Sequence, residues 1–317
     1  MASTIPVKVV SIIDGAPDIK VFEFETVDGT TFPVFEPGSH VDLHITSSLI
    51  RQYSSCGRPD DRRLRLAIKL EAESRGGSRH AHRELCVGDN LTVSQPRNNF
   101  EIAWSASHHI LLAGGIGITP MLSMAYRMVK EHASFELHYF CRSAEHAVFA
   151  DEITQAFGER ARIYFANSDA VAETIEHVIA TSRAGAHVYV CGPVGMIDLV
   201  AEKAGRLLPP EAFHHELFAA RGEANDEADR PFNVVLARTG TTLTVPPGKS
   251  IAQVLRENGV DVPVSCEQGV CGTCLTGVIE GVPDHRDEVL SDTARASCSM
   301  IALCVSRSLT DELILDL

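Results

Sequence analysis

The sequence predicts a multidomain chain: an antiparallel β-barrel, an α/β domain on a parallel sheet, and a small α+β domain that closes the chain. Three observations predict it. Short β-branched or alternating segments, broken by turn residues, fill residues 1–104. Apolar strands then alternate with helical patterns over residues 105–220, the rhythm of βαβ units. Five of the nine cysteines fall after residue 265, and three of them are spaced C-x4-C-x2-C. A length of 317 residues exceeds what one core supports.

The barrel rests on VKVVSII, VFEFETV, HVDLHI and RLAIKL, separated by Asp-Gly, Pro-Gly and polar turns. In the second region HHILLAGG, FELHYFC and HVYVCGP read as strands, while ITPMLSMAYRMVKEH and VGMIDLVAEKAGRLL have a helical period. Residues 219–230, AARGEANDEADR, lack large apolar side chains, and residues 221–230 read as a linker. In residues 231–317, FNVVLARTG and TTLTVPPG form a hairpin-like pair, SIAQVLRENG is a short helix ended by Gly259, and ELILDL is a closing strand.

Composition narrows the function classes. No segment approaches the ~18 apolar residues of a membrane span. The start, MASTIPVKVVSIIDG, has no basic region followed by a long apolar run, so a cytoplasmic protein without membrane attachment is expected. An odd cysteine count argues for metal ligation or buried thiols over a disulfide framework. A net charge of −14 argues against nucleic acid as a partner. The acidity is concentrated: residues 221–317 hold 15 Asp and Glu against 8 Lys and Arg, which suits solubility or steering toward a basic docking patch.

The loop SCEQGVCGTC places Cys266, Cys271 and Cys274 in the spacing of plant-type ferredoxins, whose thiolates hold a 2Fe–2S cluster. Zinc is the rival, but structural zinc sites usually pair two C-x2-C knuckles and only one is present. The fourth ligand is Cys304 or Cys298, with Cys304 favoured by its apolar surroundings, MIALCVSRS. Gly269 and Gly272 suit a chain that must fold back on itself.

The nucleotide region carries ILLAGGIGITP. Gly114, Gly115 and Gly117 would let the backbone approach a pyrophosphate, with Thr119 as helix N-cap and Pro120 as first helical residue. Cys191, Gly192 and Pro193 end a later parallel strand, where open sheets bind ligands. In the barrel, RQYS sends Arg51 and Tyr53 to one strand face, beside Gln52 and Ser54. An aromatic ring there can lie on a flat heterocycle and an arginine can pair with a phosphate. SRGGS offers an anion nest in Gly76, Gly77 and Ser78, with Arg75 and Arg79 adding charge.

Taken together, RQYS, SRGGS, AGGIGITP, ELHYFCRS, YVCGP, HHELF, SCEQGVCGTC and the late CVSR resemble the phthalate dioxygenase reductase family over the whole chain, especially reductases of vanillate-type O-demethylases. PDHRD, residues 283–287, adds to the likeness. The resemblance implies an FMN-binding barrel, an NAD(P)-binding domain and a β-grasp ferredoxin domain. It implies FMN over FAD, with RQYS against the isoalloxazine and ribityl chain, Arg51 near the phosphate and the Gly76–Gly77–Ser78 turn on that phosphate. Thr119 would lie near flavin and nicotinamide, Cys191, Gly192 and Pro193 would border the nicotinamide, and Phe218 would shield the flavin. Thr119, Cys191 and Phe218 are thus the candidates nearest the reacting atoms. The family implies NADH, while Arg142 and Ser143 after the second strand leave NADPH open.

The implied activity passes hydride from NADH to FMN and single electrons through the cluster to a separate Rieske-type oxygenase acting on an aromatic acid or methyl ether. Hydride transfer needs no acid–base dyad, and none stands out among the 14 histidines. A monomer is expected. Two other readings are an iron–sulfur flavoprotein redox sensor and a reductase serving a non-aromatic oxygenase.

Overall fold

The computed structural model describes residues 4–46, 49–72, 76–165, 168–219 and 229–317, and for residues 168 and 169 the backbone alone. The chain divides into two compact units, Met1–Glu216 and Leu217–Leu317.

In the first unit, β1 (Thr4–Ala16), β2 (Ile19–Thr26), β3 (His40–His44), β4 (Ile50–Ser54), β5 (Leu64–Lys69), the short helix α1 (Gly77–Arg83) and β6 (Asn90–Ser94) build an antiparallel sheet of order β4-β3-β6-β1-β2-β5. Its two edges meet through a bridge between Ser55 and Leu66, which closes the sheet on itself. The alternation read in the sequence sets the inside: Val7, Val9, Phe22, Phe24, Val41, Leu43, Leu64, Leu66 and Val93 form one buried cluster.

The same unit continues through β7 (His108–Gly114), α2 (Ile118–Lys130), β8 (Phe135–Cys141), α3 (Ala150–Phe157), β9 (Ala161–Phe165), α4 (Ser168–Ala180), β10 (Ala186–Cys191), α5 (Val194–Leu207) and β11 (Phe213–Glu216). The five strands form a parallel sheet of order β11-β10-β7-β8-β9. Its central strands are apolar on both faces because helices cover both sides. A single cluster joins Ile19, Val21 and Ala67 of the barrel to Leu111, Met121, Leu122 and Tyr139 of the α/β part. Barrel and parallel sheet therefore share a core.

The second unit contains β12 (Phe232–Leu236), β13 (Thr241–Val245), α6 (Ile251–Glu257), β14 (Leu275–Glu280), β15 (Pro283–Asp284), α7 (Asp292–Ala296), β16 (Met300–Ala302), β17 (Arg307–Ser308) and β18 (Glu312–Leu315). Its main sheet has the order β13-β12-β18-β14-β16, with β12 and β18 parallel and the other pairs antiparallel. Ser250 caps α6 in a capping box with Gln253, a device contributing about 1 kcal/mol. Ile251, Val254 and Leu255 on α6 pack onto Phe232, Val234, Leu303 and Leu313.

Candidate functional site

Two strand ends of the parallel sheet lie side by side, with Ala113 of β7 in register with Cys191 of β10. The turns that follow pack on each other. A Cβ on Gly117 would stand 2.1 Å from the Cys191 carbonyl oxygen, and one on Gly114 2.7 Å from Pro193 Cδ. Gly192 is equally tight, since its Cβ would meet Gly114 Cα at 3.0 Å. Gly114, Gly117 and Gly192 are thus required by loop-on-loop packing. Gly115, at φ +52 with open space beside it, faces outward.

Thr119 is not the N-cap. A 3-10 turn over Gly115–Gly117 runs directly into α2, so Thr119 is the second helical residue, 2% exposed, and its hydroxyl donates to the Ile116 carbonyl at 3.0 Å. Pro120 is the third helical residue, still within the first turn, where its missing N–H leaves no bond unmade. Cys191 is fully buried, and burial, helped by Glu216, holds its thiol well above the ordinary range. It is a neutral group rather than a nucleophile.

In the barrel, Arg51 lies across the start of α1: a Cβ on Gly77 would stand 2.5 Å from Arg51 Cγ. Gly76 occupies φ 98 before that helix, and Ser78 Oγ accepts the Glu71 N–H at 3.1 Å. The fold thereby brings RQYS and the glycine pair together; Ser74 and Arg75 lie outside the described residues. Among the described residues, buried Gln52 Nε2 has no hydrogen-bond partner. Burial also lifts the Tyr53 phenol far above its ordinary value, so it stays protonated.

At the end of the same strand, Ser54 Oγ donates to Glu216 Oε2 at 3.4 Å. Glu216 closes β11, in register with Cys191, and His40 Nδ1 stands 3.9 Å from its other oxygen. Burial pushes the Glu216 carboxyl up to about 8, the Ser54 hydrogen bond countering only part of the shift. Glu216 is therefore where the barrel strand and the two packed turns meet.

Arg142 and Ser143 follow β8; Arg142 is exposed, and Ser143 Oγ is 2.8 Å from His146 Nδ1. Phe218 is 38% exposed and belongs to the second unit.

In that unit Cys266, Cys271, Cys274 and Cys304 are all at most 9% exposed. Glu267, Gly269 and Gly272 at φ 54, 72 and 73 turn the loop back on itself. Backbone N–H groups of Gln268 and Thr273 point at Cys266 and Cys271 Sγ, at 3.4 and 3.5 Å. Cys266 interacts with Cys271 and Cys304, and Cys304 also with Cys274, while the Cys271 thiol donates to Thr273 Oγ1 at 3.3 Å. Their neighbouring thiols hold Cys266 and Cys274 below the ordinary thiol range and raise Cys271 and Cys304 in return. Among the described residues no three such side chains surround a single metal position. The thiols are linked instead in a chain of four, a donor set that fits a two-iron group. Cys298, at φ 51, is partly exposed.

Comparison with known proteins agrees with this arrangement. Residues 234–308 match the model of the 2Fe-2S iron-sulfur cluster binding domain, and residues 92–208 match that of the N-terminal domain of the dimethylamine monooxygenase subunit DmmA-like proteins. A vanillate O-demethylase oxidoreductase of Pseudomonas putida is 40% identical over 312 residues, 98% of each chain. The solved phthalate dioxygenase reductase, described as a modular structure for electron transfer from pyridine nucleotides to 2Fe-2S, is 37% identical at a TM-score of 0.79, covering 99% of this chain and 98% of that one. The chain belongs to the phthalate dioxygenase reductase family. An intact type IV self-sufficient cytochrome P450 monooxygenase is also similar, at 34% identity and a TM-score of 0.83, with 99% of this reductase covering 41% of that chain.

This reductase is an oxidoreductase with a 2Fe–2S domain. Sequence reading missed residues that support its sites. Glu216 stood in the quoted HHELF segment, yet no local pattern ties it to Ser54. Asp287, in PDHRD, is 2% exposed; its carboxylate accepts the N–H groups of Val289 and Leu290 at 3.2 and 2.8 Å, and its Cα would stand 3.0 Å from a Cβ on Gly269. Glu288 N–H then donates to the Gly269 carbonyl at 2.9 Å. The segment is a backing for the cysteine loop. Among the described residues no helix is long and apolar enough to cross a membrane.

Proposed function

We propose that this chain is the NADH-dependent reductase component of a multicomponent oxygenase, using FMN and a 2Fe–2S cluster. The observation that carries the reading is Glu216, which stands 3.4 Å from Ser54 of the RQYS strand and in register with Cys191 of the nucleotide turn. A heterocycle lying along RQYS and a nicotinamide bordered by the turns would meet there. When bound, FMN takes electrons as a hydride pair and releases them singly, and the cluster forwards one at a time.

The residues fit these groups. Arg51 with Gly76, Gly77 and Ser78 would hold the FMN phosphate. The orphaned Gln52 Nε2 supplies a buried donor for a ring acceptor, and Tyr53 and Ser54 line the same strand. Thr119, Cys191, Gly192 and Pro193 would border the nicotinamide. Gly114, Gly115, Gly117 and Pro120 would shape the turn under the pyrophosphate, and Arg142 and Ser143, after β8, would be the groups to meet a 2′-phosphate. Phe218 would shield the flavin. Cys266, Cys271, Cys274 and Cys304 would ligate the cluster, with N–H groups from the loop tuning it.

The reading extends to a Rieske-type partner acting on an aromatic acid or methyl ether, and to a monomeric, cytoplasmic reductase. The acidic charge after residue 221 supports docking to a basic patch on that partner. A haem oxygenase partner is the second reading, favoured by the likeness to part of a self-sufficient cytochrome P450. The test is the absorption spectrum of the purified protein, with extraction of its flavin and NADH-driven cytochrome c reduction. FMN, cluster bands and turnover are expected; cluster-loaded protein that takes up no flavin would falsify the reading. Turnover with a purified Rieske or haem oxygenase separates the partners.

A further inference from the structure

Glu152, on α3, joins three elements. Arg65 of barrel strand β5 grips its carboxylate with both guanidinium nitrogens, Nη1–Oε1 2.8 Å and Nη2–Oε2 2.7 Å, a fork-to-fork pair of fixed geometry. Tyr126 of α2 donates its hydroxyl to the same Oε1 at 2.5 Å. Both members of the pair are mostly buried, Arg65 at 22% and Glu152 at 28% exposure. Arg65 also covers the Phe149 ring at 4.3 Å, and Arg58 of the barrel covers Tyr126 at 4.6 Å. Phe149 sits at φ 65, a left-handed conformation that a bulky side chain keeps only where its surroundings hold it.

The network connects the two halves of the proposed hydride site. β5 meets the residue after Ser54 through the Ser55–Leu66 bridge. Tyr126 lies two turns along α2 from Ile118, where the glycine turn packs against Cys191 and Gly192. We propose that Glu152 is a positioning residue for hydride transfer, fixing the glycine turn and its nicotinamide relative to the barrel and its flavin. This rests on the functional reading above. In the step itself the nicotinamide C4–H bond breaks and a flavin N5–H bond forms, NADH being oxidised and FMN reduced; Glu152 makes and breaks no bond.

The experiment uses the FMN- and cluster-loaded protein, wild type and Glu152→Ala, Glu152→Gln and Tyr126→Phe. Single-turnover FMN reduction is followed with NADH and with NADH deuterated at the transferred position. A misplaced donor slows reduction on the order of 100-fold. Glu152→Ala is expected to show that loss at saturating NADH, with an enlarged isotope effect and an unchanged dissociation constant. Glu152→Gln, which keeps an acceptor for Tyr126 and Arg65, recovers most of the rate. Tyr126→Phe, which removes one hydrogen bond and no charge, slows reduction by a smaller factor and serves where the alanine variant does not fold. Wild-type rates in the variants, or losses that track only missing FMN or weaker NADH binding, overturn the proposal. A wild-type protein that holds FMN but is not reduced by NADH overturns the functional reading instead.

Discussion

Replacing Glu216 with Gln tests how the fold treats a carboxyl that burial keeps protonated. Burial lifts this group from 4.5 to about 8, with 14% of the side chain still exposed. An acid raised in the folded state is stabilised there as its neutral form. Below pH 4.5 both folded and unfolded chains carry the proton, and Glu216 contributes no pH dependence. As pH rises toward 8 the unfolded chain ionises first, so stability falls by about 1.4 kcal/mol per pH unit. The loss is complete above the folded value, at about 5 kcal/mol as an upper bound because some water reaches the group. Glutamine has the same shape, accepts from Ser54 and cannot ionise. The melting temperature of Glu216→Gln should therefore match wild type near pH 4 and exceed it by roughly 10 °C above pH 8, at about 2–4 °C per kcal/mol for a unit of this size. Thermal release of flavin fluorescence at pH 5, 7 and 9 measures the difference. A gap that stays constant with pH, or one that favours wild type as pH rises, refutes the reasoning.

Cys271→Ser should lose the iron–sulfur absorption and cytochrome c reduction, while NADH-driven ferricyanide reduction by the flavin half persists. Loss of both activities in a folded, FMN-loaded variant would contradict the modular reading. Gly117→Ala places a methyl 2.1 Å from the Cys191 carbonyl oxygen. The strand ends must part, at a cost of about 1–3 kcal/mol that lowers the melting temperature; an unchanged melting curve would show that the turns are not locked together. Arg51→Ala removes a charge-assisted contact of about 1.5–3 kcal/mol, so FMN affinity should drop roughly 10- to 100-fold in a fluorescence titration. Undiminished affinity would place the phosphate elsewhere.

Local chemistry was legible from the sequence. The period of FELHYFC marked β8 to the residue, and SIAQVLRENG held the helix α6, Ile251–Glu257. The cysteine spacing identified the loop because three of the four thiols are local to one another. Thr119 and Pro120 were misplaced by one structural detail: a 3-10 turn that continues into α2 looks, in sequence, like a loop with a cap.

The sequence by itself determined the order of the β and α/β regions, the cysteine loop and the motifs proposed to line each site, because those depend on periodicity and short spacing. Only the tertiary structure decided what joins them. Ser54 and Glu216 are 162 residues apart and meet because β4 and β11 end at the same place. Arg65 and Glu152, 87 residues apart, meet because the barrel and the parallel sheet share a core. Asp287 backs Gly269 because the chain returns past the cysteine loop. Such contacts depend on strand register and packing between distant segments, and no local pattern in the chain records them.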